Sequence, residues 1–312
     1  MNALAILNYS ILAAFLSMFV LEVGIAMLML FKDSYSARMR RYLMPIWELA
    51  GTTAVFYVVN LIATYPGMLN VIGNAYMAPL LIAALFLLLR NAFLSYSAYS
   101  GAELKAYTAI YSLSTIAIAV IALTVLSSAA TGSGLGPALG SLDIAAAFLS
   151  PFNIVLIIGT VLVALSFAIA AFEMDDLRGV GAGAALFGIA LLLFGTYFLL
   201  GAVQLSGQSS LARIAAAAAL AMAALFCYKR KRVAKYAYAI LLFIGILLLE
   251  AEQYPYVFGN VDITSYANNS GIAGYELVIT AVGGLLLLAS VAYLVYSVYL
   301  KKEPAPIPSS KA

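Results

Sequence analysis

The feature that most constrains this chain is a series of apolar segments, each about 20 residues long, which polar breaks separate. A helix needs about 20 apolar residues to cross the hydrocarbon layer of a bilayer. The sequence predicts nine such helices, approximately at residues 4–31, 43–65, 69–89, 106–130, 151–172, 182–204, 211–228, 236–254 and 275–300. We therefore expect an all-α integral membrane protein, with one polytopic membrane domain over residues 1–302 and a disordered tail at 303–312.

Composition excludes a water-soluble fold. Only 9% of the residues are charged and 65% are hydrophobic, whereas a soluble domain carries roughly 25% charged residues. The net charge is only +3, so nucleic acid is not expected as a partner. The sequence has no histidine, which removes the commonest ligand of haem iron and of zinc. We expect no catalytic residue, no metal site and no cofactor held by ligands of this chain.

The basic residues predict the orientation of the chain. Of the 16 lysines and arginines, 15 fall in odd-numbered loops or in the C-terminal tail, and only Arg213 lies on the other side. Cytoplasmic loops carry the excess of Lys and Arg in membrane proteins. The N-terminus is therefore predicted to lie outside and the C-terminus in the cytoplasm. Termini on opposite sides require an odd number of spans, which nine satisfies and eight would not.

Two carboxylates are predicted to lie inside the apolar spans. Glu22 lies about nine residues from the cytoplasmic end of the first span, and Glu48 about five residues into the second, so their depths are roughly 13 and 8 Å. A carboxylate in hydrocarbon is costly unless it is protonated, paired or hydrated. Because a short loop joins the two helices, we expect the acids to be adjacent. Thr52, one turn from Glu48, can hydrogen-bond to it or to a water.

Two interpretations of these acids remain open. Staggered in depth, they form a candidate path for proton entry from the cytoplasm. Alternatively, each pairs with a loop arginine such as Arg38 or Arg41, or caps a helix of a partner chain. Four other acids lie toward the outer interface, where a carboxylate costs little, and are expected to be solvated or helix-terminal: Glu250, Glu252, Asp262 and Glu276.

Two classes of function fit this pattern. The chain has no glycine-rich phosphate loop with a lysine, no Ser/His pair and no Cys or His cluster. It is therefore either a proton-coupled transporter or the cofactor-free partner of a respiratory subunit. Transporters usually show an internal repeat and helices broken at the bilayer midplane. Spans 1–4 and 5–8 show no convincing match and the two acids are shallow, which favours the respiratory subunit.

Motifs near the N-terminus resemble those of a known family. Pro45-Ile46-Trp47-Glu48 resembles the Pro-x-Trp-Asp signature in the second helix of subunit II of cytochrome bd-type quinol oxidases. At the spacing of that family, Tyr65-Pro66 matches its aromatic residue followed by proline, and Arg90 matches the arginine that ends its third helix. Upstream, Leu21-Glu22-Val23-Gly24 resembles its Phe-Asp-x-Gly, although both acids here are Glu rather than Asp.

A second group of motifs lies near the C-terminus. Tyr254-Pro255-Tyr256, followed by residues 262–267 with Thr264, resembles the Tyr-Pro…Leu-Thr…Ala-Ser-Ser loop of the same family. The last predicted helix contains Tyr293, Tyr296 and Tyr299, as that helix does in the family. The patterned resemblance covers residues 19–96 and 254–302, and the middle of the chain agrees only in hydropathy and number of spans.

The resemblance implies a fold and a complex. The fold would be two four-helix bundles, at about 4–130 and 151–254, plus a peripheral last helix at about 275–300. The chain would form a heterodimer, in the plasma membrane of a prokaryote, with a homologous subunit I that carries b-type and d-type haems and oxidises quinol. The complex would be a terminal oxidase that reduces oxygen. Some relatives hold a structural quinone in subunit II, so a quinone is an expected further ligand.

The resemblance also assigns roles to residues. This chain would be a haem-free subunit, without catalytic activity of its own, that scaffolds subunit I. Glu48 matches the carboxylate that feeds cytoplasmic protons toward the oxygen-reducing haem, and Glu22 lies on the same route, with Thr52 beside Glu48. The remaining motif positions are expected to be structural: Trp47, Pro45, Pro66, Arg90, Tyr254, Pro255 and Thr264.

Overall fold

The computed structural model describes residues 3–31, 33–100, 105–136, 139–195, 232–258, 261–267 and 273–295, with five positions between 215 and 222. These residues are almost entirely helical. The helices are α1 (Ala3–Phe31), α2 (Asp33–Thr64), α3 (Met68–Ser100), α4 (Lys105–Thr131), α5 (Ile144–Phe148), α6 (Pro151–Ala171), α7 (Arg178–Phe194), α8 (Arg232–Gln253) and α9 (Ala273–Val295). Short 3₁₀ turns lie at Asp175–Leu177 and Ile263–Tyr266, and strands β1 (Tyr256–Val257) and β2 (Val261–Asp262) pair antiparallel.

Within the described residues, six helical segments are long and apolar enough to cross a membrane, which confirms an integral membrane protein. They are Ala3–Phe31, Pro45–Thr64, Met68–Tyr96, Lys105–Thr131, Pro151–Ala171 and Asp175–Phe194. Shorter apolar stretches at Ala237–Ala251 and Gly274–Ser290 lie within α8 and α9. Most of the predicted span at 211–228, the end of the span at 182–204 and the tail at 303–312 lie outside the described residues.

Two helices extend beyond the predicted spans. α2 begins at Asp33, where the sequence predicted a loop before residue 43, and α3 continues to Ser100, beyond the predicted end at 89. Hydropathy detects only the part of a helix that lies in hydrocarbon. Neither extension contains glycine or proline, and Pro45, which follows the extension of α2, lies inside that helix without ending it. Arg90, predicted to end the third helix, therefore lies inside it.

α1 is the helix around which the others pack. It contacts α2, α4, α6, α8 and α9, and more than half of its most apolar stretch is buried, which is a larger share than in any other described span. The closest approach is at Gly24, where an added Cβ would lie 2.0 Å from the Ala164 carbonyl oxygen of α6. A side chain cannot fit against backbone at this distance, so glycine sets the spacing of α1 and α6.

We predict that Gly24→Ala lowers the free energy of unfolding by about 3 kcal/mol, because α1 must move away from α6. The midpoint of thermal unfolding in detergent measures this change. Gly183→Ala in α7 is the matched control, since an added Cβ there meets nothing within 4 Å, and it should leave the midpoint unchanged or slightly raised. Equal midpoints for the two variants would show that the α1–α6 approach does not limit stability.

The two ends of the α1 bundle carry different groups. At one end α1 finishes at Phe31 and α2 begins; we call this the Arg90 end. At the other, α2 finishes, the turn at Pro66 leads into α3, and α8 finishes; we call this the Pro66 end. A second apolar cluster lies at the Pro66 end and contains Tyr65, Met68, Ala75, Tyr76, Phe258 and Ile263.

Candidate functional site

Glu22 is the buried acid of the Arg90 end. Its side chain is 1% exposed, and its Oε1 atom forms an ion pair with the Arg90 guanidinium, which donates a hydrogen bond to it. The Tyr111 hydroxyl donates a second hydrogen bond to the same oxygen at 3.0 Å. Three helices, α1, α3 and α4, therefore supply the acid, the base and the phenol of one closed group.

Aromatic rings flank the guanidinium of Arg90. Its Cζ atom lies 5.9 Å from the ring centroids of both Trp47 and Tyr111. Ring faces attract a cation, and they do so most strongly away from water. The Nε atom of Arg90 is buried and has no hydrogen-bond partner among the residues that the structure describes. Glu22 and the two rings together compensate the charge of the Arg90 guanidinium, which would otherwise be costly inside the bundle.

The partner of Glu22 differs from the one that the sequence suggested. Arg38 and Arg41 were the expected arginines, and their side chains lie outside the described residues. Arg90, which the sequence identified only as a structural motif position, forms the pair. Trp47, also a motif position, is half-buried beside it.

Glu48 lies on the exposed face of α2. Its carboxylate makes no hydrogen bond or ion pair with any residue that the structure describes. The Thr52 hydroxyl, expected to reach this carboxylate, instead donates to the backbone carbonyl of Glu48 at 2.8 Å. A threonine in a helix commonly bonds the carbonyl four residues earlier. The structure thus packs α1 against α2 as predicted, but it does not bring Glu22 and Glu48 into one hydrogen-bonded group.

Four other motif positions lie at the Pro66 end, Pro66, Tyr254, Pro255 and Thr264, whereas Pro45 lies inside α2 toward the Arg90 end. Tyr254 packs edge-on against Tyr9 of α1, with ring centroids 6.2 Å apart, and is followed by a cis peptide bond to Pro255. The turn at Pro66 approaches the same loop, because a Cβ on Gly67 would lie 2.8 Å from the Tyr266 ring. These motifs therefore hold the loop of residues 254–267 against the α2–α3 turn.

Thr264 organises the turn that follows β2. Its hydroxyl donates to Asp262 Oδ1 at 2.6 Å, and its backbone N–H donates to the same atom at 2.8 Å. These two donors lower the pKa of Asp262 below its ordinary value of 3.8. A carboxylate with a lowered pKa stabilises the folded turn above that ordinary value, and the stabilisation is lost as pH falls through the lowered pKa.

We predict that Thr264→Val raises the pKa of Asp262 toward 3.8, because the hydroxyl donor is lost. The acid-induced opening of the 254–267 loop should then begin at a higher pH than in the unchanged protein. Limited proteolysis by pepsin over an acid pH series measures this opening. Ser265→Ala is the control, since the Ser265 hydroxyl donates to the Asp262 backbone carbonyl and not to its carboxylate. A shift of the same size in both variants would contradict the assignment.

A buried polar network was missed by the sequence analysis. The Asn8 amide donates to Thr64 Oγ1 at 2.8 Å, and Thr64 Oγ1 lies 2.6 Å from Glu276 Oε1. One turn away, the Thr280 hydroxyl donates to Asn60 Oδ1. The sequence contains a signal for this network, because two pairs of polar residues four positions apart, Asn60 with Thr64 and Glu276 with Thr280, each mark one face of a helix. This network ties α1, α2 and α9 together at the Pro66 end.

Two acids expected to be solvated or helix-terminal have their carboxyl groups buried. Glu276 lies in the first turn of α9, as a helix-terminal acid would, but it is only 8% exposed. Both carboxylate oxygens of Glu250 are buried, and they have no hydrogen-bond partner among the described residues. Both acids are therefore helix-terminal, as one of the two alternatives predicted, but neither carboxyl group is solvated. Hydropathy estimates depth along a helix and not the face on which a side chain lies.

The described residues include no cluster of three or more His, Cys, Asp or Glu side chains that could hold a metal ion. The whole chain lacks histidine. The buried methionines Met29, Met39 and Met174 pack in the main apolar core. The residues of this chain therefore do not fit a haem with a histidine ligand.

Comparison with known proteins identifies the family. A family model described as cytochrome bd terminal oxidase subunit II matches residues 2–299. Among solved structures, a chain of the bd oxidase from Geobacillus thermodenitrificans has a similar fold, with a TM-score of 0.76 and 21% sequence identity, over 97% of this chain and 100% of that one. A search of curated proteins finds no match. The family model confirms the resemblance seen in the motifs, and the chain belongs to the cytochrome bd terminal oxidase subunit II family.

Proposed function

We propose that this chain is the haem-free subunit II of a bd-type quinol:oxygen oxidoreductase in the plasma membrane of a prokaryote. It forms a heterodimer with a haem-bearing subunit I, scaffolds that subunit and supplies a path for cytoplasmic protons. The b-type and d-type haems supply the redox chemistry from subunit I. Membership of the subunit II family and the fold shared with a bd oxidase support this proposal.

The observation that carries the proposal is the exposure of Glu48. Its carboxylate lies on an α2 face beside Gly51, Thr52 and Val55, which are also exposed. A charged side chain that faces lipid is costly, and such residues almost always face a protein interior or a water-filled cavity. A partner subunit packed on this face would cover Glu48 and put it at the interface. A carboxyl at that position can receive protons and pass them toward the partner.

Glu22 has a different part in this proposal. Its pairing with Arg90 and Tyr111 favours a carboxylate that keeps its charge, because breaking the pair would leave a buried arginine uncompensated. We therefore assign Glu48 as the group that carries the proton and Glu22 as a fixed charge on the same route. Arg90 and Trp47 position Glu22. The Arg90 end is accordingly the cytoplasmic end, and the N-terminus lies outside.

The test is to capture the full chain from gently solubilised native membranes and to record a reduced-minus-oxidised absorption spectrum. We expect bands of b-type and d-type haem, together with a second membrane subunit. A colourless chain without a partner would contradict the proposal and would favour a proton-coupled transporter instead. Quinone extracted from the same preparation would identify the expected further ligand.

A further inference from the structure

Glu250 is a half-buried residue with a buried carboxylate that the proposed proton route does not use. It lies in the last turn of α8, at the Pro66 end. Neither of its carboxylate oxygens is accessible to solvent, and neither has a hydrogen-bond partner in the part of the chain that the structure describes. Leaving a buried carboxylate unpaired costs several kcal/mol if it is charged. A group in this position needs a proton or a cation.

In the described part of the chain, the side chains that interact with the Glu250 carboxylate are phenols. Tyr9 of α1 and Tyr57 of α2 interact electrostatically with its carboxylate. Tyr65 and Tyr254 interact in turn with Tyr9, and Tyr65 interacts with Glu276 and Asp262. α1 and α6, which pack near α8, contain no lysine or arginine. The basic residues of α2 lie among its first nine residues and those of α8 among its first four, at the opposite end of each helix from Tyr57 and Glu250.

These surroundings leave a proton as the fitting cation. A metal ion would require several oxygen or nitrogen ligands, and the described residues offer no cluster of three or more such acids, cysteines or histidines. The buried acid of α9 at the same end, Glu276, already accepts a hydrogen bond from Thr64. A neutral carboxylic acid, in contrast, has no charge to compensate and can remain among phenols and apolar side chains.

We propose that Glu250 is a proton-binding site at the Pro66 end, beside Tyr9, whose ring packs against Tyr254 of the loop that carries Asp262. A carboxylate oxygen takes up one proton and becomes a neutral acid; no other bond changes. The site is separate from the Glu22 group, because Tyr9 and Glu22 are 13 residues apart on α1, which is about 20 Å along a helix. The Glu250 site thus extends the proposed function to a second proton site, at the end of the bundle opposite to Glu22.

Infrared spectroscopy of the purified complex tests this site directly. A protonated buried carboxyl has a C=O stretching band that is distinct from a carboxylate band and shifts in D₂O. We expect such a band near neutral pH, and we expect Glu250→Gln to abolish it. Glu276→Gln is the matched control: it removes the buried acid of α9 at the same end, and the band should remain. Tyr57→Phe should move the band without removing it, because the phenol next to the carboxyl is lost.

Three results would overturn the proposal: no such band near neutral pH, a band that survives Glu250→Gln, or a band that disappears in Glu276→Gln. If Glu250→Gln does not assemble, Glu250→Asp decides, since a shifted band supports the assignment and an unshifted one contradicts it. The measurement observes the carboxyl itself and requires no oxidase activity. Its outcome is therefore independent of Glu48 and of whether the proposed oxidase function holds.

Discussion

The Glu48→Gln variant is expected to assemble with its full haem content while quinol-driven oxygen uptake falls on the order of 10²-fold. Glutamine has the size of glutamate but cannot take up and release a proton near neutral pH. The carboxylate forms no hydrogen bond or ion pair with the described residues of its own chain, so the substitution breaks no internal contact. The loss should therefore appear in turnover and not in stability.

Two measurements separate this result from a structural effect. The first is the haem content per complex, from the reduced-minus-oxidised spectrum, which should equal that of the unchanged protein. The second is oxygen uptake by Glu48→Asp, which keeps an ionisable carboxyl and should recover much of the activity. If Glu48→Gln turns over at the normal rate, Glu48 has no role in proton delivery. If Asp fails as badly as Gln, geometry rather than ionisation explains the loss.

The Arg90→Gln variant is expected to lose about 3–5 kcal/mol of folding free energy, because it leaves Glu22 charged, buried and unpaired. The midpoint of thermal unfolding in detergent and the yield of assembled complex both measure this loss. Tyr111→Phe removes only the 3.0 Å hydrogen bond to Glu22 and should cost about 1 kcal/mol. The difference between the two variants distinguishes loss of a countercharge from loss of one donor.

The double variant Glu22→Gln/Arg90→Gln provides the decisive control. Removing both charges leaves two neutral amides, so the double variant should be more stable than Arg90→Gln alone. Because the pair is buried, its coupling should change little with salt concentration. Additive losses in the double variant would show that Glu22 and Arg90 stabilise the bundle independently, and the ion pair would then have no structural importance.

The helices and the two acids of the Arg90 end could be predicted because both depend on local sequence. Apolar runs of about 20 residues indicate spans whatever their neighbours are, and the depth of Glu22 follows from its distance to the end of its run. The ends of α2 and α3 could not be predicted in this way, since their polar extensions remain helical beyond the hydrocarbon. The same short-range motifs were sufficient to identify the family.

The neighbours of each side chain were decided by the tertiary structure. The sequence places Glu22 in an apolar span, but its partner Arg90 is 68 positions away, and the choice between Arg90 and a loop arginine depends on how α1, α3 and α4 rotate. Likewise, Glu250 and Glu48 both lie in apolar helices, yet the carboxylate of Glu250 is buried whereas Glu48 is exposed. Hydropathy measures depth along the membrane normal, whereas rotation about a helix axis is set by close packing such as that of Gly24 on Ala164, which has no counterpart in a one-dimensional pattern.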